Sequence, residues 1–285
     1  MNLKGKACLV TGASGGIGAA LARALTERGA RVALLARRLP ELEHLAEQLE
    51  DGRAGRGAAG RQAVVIEADV TDRETIGSAV VRAAQELGGL DLLVNNAGLG
   101  YYGPLEGMDP ADLEALFQTN VLGVLQVTHA ALPYLKEGRG LIVNISSGLS
   151  LRALPFLSAY AGSKAMVNLI SDGLRMELRP YGIRVLNYGP PATKTEFFQH
   201  SRGIPQPAEA MRRMKLARVE DLAERIVRAI ERERRQVIEA SILGLTNLLA
   251  PRLLDSMFYR MMVVPQHAAD QGKDELLARR SGSRV

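Results

Sequence analysis

The sequence predicts an α/β fold: a doubly wound parallel sheet of about seven strands with helices on both faces. Three observations predict it. Short apolar runs of strand length alternate along the chain with segments of helix length, the pattern of successive βαβ units. Runs such as Val32-Ala-Leu-Leu35 are apolar without alternation, as strands buried on both faces should be. The first run passes through a glycine-rich turn directly into a helical stretch.

Composition narrows the function classes. Of 285 residues, 47% are hydrophobic, enough for one large domain, which we expect over residues 1–240, with an extension at 241–285. The absence of Trp and an aromatic content of 4% argue against a stacking platform for single-stranded nucleic acid. The net charge of +5 permits phosphorylated cofactors or anionic lipid surfaces without requiring nucleic acid. A single cysteine, Cys8, excludes an intrachain disulfide framework and suits a reducing compartment, and its apolar surroundings predict a buried, inert thiol. No signal-peptide pattern and no long uncharged apolar stretch stand out, so we expect a cytoplasmic protein.

In chain order, Ala7–Val10 reads as the first strand, and Thr11-Gly-Ala-Ser-Gly-Gly-Ile-Gly18 as the turn into a helix over Ala19–Arg28. Gly12, Ser14, Gly16, Ile17 and Gly18 are candidates to cradle a phosphate, because glycines admit close backbone approach and the helix start presents free N–H groups. The alternative is a tight strand–helix turn. Arg31–Ala36 is the second strand. It ends in Arg37-Arg38, two cations without an acid, where an adenine dinucleotide would present its ribose 2′ position. That favours NADP(H) over NAD(H); the alternative is two solvated arginines. Leu42, Leu45, Ala46 and Leu49 mark a helix over Pro40–Glu50, and residues 51–62, rich in Gly, Ala and Arg, read as a surface loop.

Ala63–Ile66 is the third strand. Asp69, beside Val70, is placed either to accept from an adenine amino group or to cap the helix over Thr71–Leu87. Leu90–Val94 ends in Asn95-Asn96-Ala97-Gly98, whose Asn96, Ala97 and Gly98 lie on the ligand-binding edge of such a sheet. Asn120 lies inside the helical region Asp109–Lys136, where a mediocre helix former needs a reason. Leu141–Ile145 precedes Ser146-Ser147, and Pro155–Arg179 is the helix carrying Tyr160 and Lys164. Four residues apart, those two share one helical face, and a lysine ammonium beside a phenol favours the phenolate. Arg184–Leu186 opens the sixth strand, and Gln236–Glu239 forms the seventh, after a helix over Val219–Arg234.

Thr11-Gly-Ala-Ser-Gly-Gly-Ile-Gly18, Asn95-Asn-Ala-Gly98, Asn120, Ser147 and Tyr160-Ala-Gly-Ser-Lys164, in this order, resemble the short-chain dehydrogenase/reductase family over roughly residues 3–200. The resemblance implies a Rossmann-type domain that binds NAD(P) and a Ser-Tyr-Lys-Asn catalytic set. By position, Tyr160 matches the general acid/base, and Lys164 the residue that holds the nicotinamide ribose and lowers the tyrosine pKa. Ser147 matches the hydroxyl that orients the substrate carbonyl, and Asn120 the support of a water-linked proton path. Pro190, Thr193 and Thr195 fall in the segment that holds the nicotinamide, with Thr195 matching the carboxamide contact. Pro191 stands where the family has glycine. No metal site is expected.

Residues 195–217 fall where the family has a mobile substrate lid. In 241–264, Leu243, Leu248, Leu249, Leu253, Leu254, Met257, Phe258, Met261 and Met262 give a wide apolar helical face, interrupted by charges that rule against spanning a bilayer. It packs over the pocket or on a partner subunit, lies on a membrane surface, or belongs to the core. The first two favour a lipophilic substrate, such as a ketoacyl, steroid or sphingoid-like ketone. The expected protein is an NADP(H)-dependent oxidoreductase of that substrate class, a homo-oligomer (dimer or tetramer) with a possible peripheral membrane contact. The rival is a non-catalytic NADP(H)-sensing protein of the same fold.

Overall fold

A computed structural model of the chain describes residues 1–51, 62–204, 216–239 and 247–263. Seven parallel strands form the central sheet: β1 (Ala7–Thr11), β2 (Arg31–Ala36), β3 (Ala63–Glu67), β4 (Leu92–Asn95), β6 (Leu141–Ile145), β7 (Arg184–Gly189) and β9 (Gln236–Ile238). Their order is β3-β2-β1-β4-β6-β7-β9. Two further strands, β5 (Tyr101–Tyr102) and β8 (Arg202–Gly203), pair with each other outside it. The expected sheet is therefore the observed one.

Successive strand residues point to opposite faces, and each face has its own core. Cys8, Val10, Val32, Leu34 and Leu92 pack under α1 (Gly16–Glu27), α2 (Leu39–Asp51) and a helix we number α7 (Val219–Glu231). Ala7, Leu9, Ala33, Leu35 and Leu93 pack under α3 (Ile76–Leu87) and α5 (Gly123–Gly138). Burial on both faces is why these strands read as unbroken apolar runs. Cys8 is buried, and that burial pushes its thiol pKa well up, in keeping with an inert side chain.

Chain order places the functional edge. From β1 the sheet grows to β2 and β3, then returns to β4 on the other side of β1. The reversal leaves a crevice at the carboxyl ends of β1 and β4, where the connections part in opposite directions. Thr11–Gly18 and Asn95–Gly98 lie at its two lips.

Several helix limits differ from the expected ones for local reasons. α1 starts at Gly16, inside the glycine turn rather than after it. α3 starts at Ile76, a turn later than expected, because Asp72 accepts from the Thr75 hydroxyl at 2.6 Å and from the Glu74 N–H at 3.0 Å. The long helix around Asn120 is three pieces: α4 (Pro110–Phe117), a π-type turn at Gln118–Leu122, and α5. An extra residue in that turn is the reason the asparagine required. The helix bearing Tyr160 and Lys164 is α6 (Ser158–Glu177). The expected loop at 51–62 apart from Asp51, which ends α2, and Gln62, most of the lid beyond Ile204, Leu243 of the extension and the tail after Val263 lie outside the described residues.

Candidate active site

The glycine turn is built by compression. Gly12 has φ 64°, and a Cβ there would stand 2.9 Å from Ala97 Cα. A Cβ on Gly18 would stand 2.3 Å from the Gly12 carbonyl oxygen, which no side chain can tolerate. Thr11 Oγ1 accepts from the N–H groups of Asn96 and Ala97, both at 3.0 Å. The Asn96 side chain donates to the carbonyls of Thr11 and Gly12 at 2.9 and 3.2 Å. Asn96 is thus a clamp between the two lips of the crevice, its amide committed to backbone.

The first turn of α1 has no acidic residue and no capping side chain on Gly15, so its N–H groups keep their capacity for an anion. Ile17 packs on the core beneath. Arg38 lies across the turn: its Nε donates to Ser14 Oγ and its Nη2 to the Ser14 carbonyl, each at 3.2 Å. Arg37 is exposed and pairs with Asp69 at 3.4 Å. Asp69 Oδ1 accepts from both the N–H and the hydroxyl of Thr71 at 2.9 Å, so it caps a turn that precedes α3 rather than α3 itself. Val70 is buried against Gly123. Thr195 reaches the glycine turn from the far side, its Cβ 3.4 Å from where a Gly16 Cβ would stand. An uncapped helix start, a glycine cradle and two guanidinium groups at the end of β2 fit a phosphorylated dinucleotide.

Deeper in the crevice, a Cβ on Gly98 would lie 3.3 Å from both Asn120 Oδ1 and Lys164 Nζ, so these three meet. Asn120 is fully buried. Its Oδ1 accepts from the Leu99 N–H at 2.7 Å, and its Nδ2 donates to the Leu99 carbonyl and to Ser163 Oγ, both at 2.9 Å. Lys164 Nζ donates to the Ile145 carbonyl at 3.0 Å. Ser147, at the end of β6, caps the short turn Gly148–Ser150 through its hydroxyl. Gly148 donates to the Pro190 carbonyl at 2.8 Å, which ties the ends of β6 and β7 together, and Thr193 Oγ1 donates to the Pro191 carbonyl at 2.8 Å within the segment after β7. Pro191 is accommodated there as an acceptor.

In the protein alone, burial dominates the electrostatics of the pair. Burial pushes the Tyr160 phenol up to about 12, against its hydrogen bond with the Ser147 hydroxyl. Burial pushes Lys164 down to about 8. The ammonium spends its reach on the Ile145 carbonyl, and the protein alone gives the phenol no lowering from it. A phenol held up in this way carries its proton at neutral pH.

Three residues of the site carried no motif signal of their own. Ser163 donates to the Tyr160 carbonyl at 2.7 Å while accepting from Asn120. Asn168, one turn beyond Lys164, accepts from Ser146 Oγ at 2.6 Å and from Asn187 Nδ2 at 2.8 Å, and donates to Ser150 Oγ at 2.8 Å. The Phe197 ring stands 5.8 Å from the Tyr160 ring at 55° and covers it from the lid side. Helical spacing from Tyr160 and Lys164 is the one signal that could have flagged Ser163 and Asn168; Phe197 had none.

Comparison with known proteins agrees with this geometry. A glycine betaine reductase of Emericella nidulans is 38% identical over 212 residues, 74% of this chain, but the match spans only 16% of that longer protein. A short chain dehydrogenase of Burkholderia cenocepacia, solved in complex with NADP, is 34% identical with a TM-score of 0.71, covering 81% of this chain and 92% of its own. A 3-ketoacyl-(acyl-carrier-protein) reductase of Brucella melitensis, solved with NADH, is 26% identical with a TM-score of 0.73, covering 84% and 99%. The profile of the short chain dehydrogenases matches residues 6–203. Because that stretch carries every strand from β1 to β7 and all four polar residues of the cleft, the chain belongs to the short-chain dehydrogenase family.

Proposed function

We propose that the protein is an NADP(H)-dependent oxidoreductase that moves a hydride between nicotinamide and a carbonyl or secondary alcohol on a lipophilic substrate. One observation carries this reading: the Ser147 hydroxyl neighbours the Tyr160 phenol just past β6, and Lys164 reaches the last residue of that strand, on the same sheet edge as the glycine turn. The dinucleotide, when bound, supplies or accepts the hydride. Tyr160, protonated at neutral pH, gives its hydroxyl proton to the carbonyl oxygen, and the Ser147 hydroxyl steadies the charge developing there. Lys164, a buried ammonium, would hold the nicotinamide ribose, and Asn120 fixes the backbone of Leu99 nearby. Gly12, Ser14, Gly16 and Gly18 would hold the pyrophosphate, with Ala97, Gly98, Pro190, Thr193 and Thr195 along the remainder of the crevice.

The NADP preference rests on Arg37 and Arg38 and on the absence of an acid at the end of β2. The lipophilic substrate rests on the Phe197 ring over Tyr160. A homo-oligomer is supported by exposed apolar residues: Leu122 and Leu125 at the start of α5, and Met166, Leu169 and Met176 on α6. A location in the cytoplasm is part of the same proposal.

The test is NADPH oxidation, followed by absorbance, against a panel of medium-chain ketoacyl thioesters, steroid ketones and sphingoid-like ketones. Turnover of at least one class is expected. NADPH binding without turnover of any carbonyl or alcohol would instead support a sensor.

A further inference from the structure

The helix we number α8 (Pro251–Phe258), with the π-type turn Tyr259–Val263 that follows it, is held to the body along one side only. Phe258 is buried, and Leu254 and Met262 are half-buried. Arg152 bonds both Asn247 and Asp255 and fastens the segment to the loop between Ser147 and Tyr160. On the outer side, Leu249, Leu253, Met257 and Met261 recur every four residues and are 73%, 71%, 45% and 60% exposed. The adjoining row at the same spacing is Leu248, Arg252, Ser256 and Arg260, all exposed. Neither arginine forms an ion pair among the described residues, and the one acid in 247–263, Asp255, is compensated by Arg152. The outer face therefore carries apolar surface and positive charge alone.

We infer that this face docks on an anionic lipid surface, with the Leu-Met stripe in the acyl boundary and Arg252 and Arg260 at the phosphate level. A leucine and methionine row flanked by arginines is the pattern of a helix lying in a membrane interface. No helix among the described residues is long and apolar enough to cross a membrane, so the contact is peripheral. A second copy fits the face less well. Pairing across a twofold axis would set Arg252 and Arg260 near their own counterparts, and each chain carries net charge +5. The apolar face on α5 and α6 offers a copy a better seat. Docking on lipid deepens the lipophilic-substrate reading, but it is tested without turnover, so the two can fail separately.

The experiment is flotation of the full chain with vesicles of phosphatidylcholine alone or mixed with phosphatidylserine, beside light-scattering mass measurement. Wild type should float with the anionic vesicles and stay behind with the neutral ones. Leu253→Glu/Met257→Glu and Arg252→Glu/Arg260→Glu should each lower binding about tenfold or more, with melting temperature, NADPH affinity and oligomeric mass unchanged. Failure to bind anionic vesicles, equal binding to both compositions, or unimpaired binding of the variants would overturn the inference. A fall in oligomeric mass in the variants would assign the face to a second copy and overturn it as well.

Discussion

Asn120 and Ser163 are joined by a 2.9 Å hydrogen bond from Nδ2 to Oγ, and Ser163 passes the connection to the Tyr160 carbonyl at 2.7 Å. With the two bonds from Asn120 to Leu99, this chain braces the loop after β4 against the first turn of α6. The asparagine of the proposed catalytic set is therefore a brace through its side chain. Ser163→Ala leaves a buried amide donor unpaired. It should cost roughly 1–3 kcal/mol of stability in denaturant titration and lower kcat with little change in cofactor affinity. Unchanged stability and kcat would mean the brace is dispensable.

Two glycines should respond in opposite ways to alanine. Gly18→Ala drives a Cβ into the Gly12 carbonyl, so the turn must open, and both stability and NADPH binding should be lost. Gly162 sits inside α6, exposed and with nothing within 4 Å of an added Cβ. Gly162→Ala should stabilise the protein by about 0.5–1 kcal/mol with activity retained, as read by thermal melting and steady-state kinetics.

For cofactor choice, the two arginines are placed differently. Arg38 lies over Ser14, while Arg37 extends to Asp69. Arg37→Ala and Arg38→Ala should each weaken NADPH by about tenfold, one charge-assisted contact, and leave NADH nearly untouched. Calorimetric dissociation constants for both cofactors measure the ratio. Tighter NADH binding by wild type would contradict the preference.

Lys164 gives a pH signature. Burial holds its folded-state pKa at about 8, below its ordinary value of 10.5. Below about 8 the lysine is charged in both states, and the folded state bears the full cost of burying it. Between about 8 and 10.5 the unfolded chain binds more protons, so stability should rise with pH, by up to roughly 3 kcal/mol. Denaturant titrations of wild type and Lys164→Met across that window isolate the effect. The wild-type-minus-variant difference should climb as pH rises, and a flat difference would show that Lys164 is not depressed.

The sheet was legible because burial on both faces leaves an unbroken apolar run that few other structures produce. Helix starts were less legible. The late start of α3 depends on which of Asp69 and Asp72 finds donors, and the interrupted helix at Asn120 on a π-type turn that propensity does not reveal. The polar residues of the site were legible because their chemistry and spacing are restrictive. Their support was not: Asn168 joins Ser146, Ser150 and Asn187 from three different elements, a convergence set only by the folded chain. The burial of the Tyr160 phenol in the protein alone was not legible either. Sharing a helix face with Lys164 says nothing about burial, or about the Ile145 carbonyl that takes up the ammonium.

The central claim is that Tyr160 transfers the proton. Its most direct test is Tyr160→Phe, assayed for both turnover of a carbonyl substrate and NADPH binding. The account predicts a loss of turnover of about a thousandfold with the cofactor dissociation constant changed by less than about threefold. Turnover within about tenfold of wild type in that variant would contradict it.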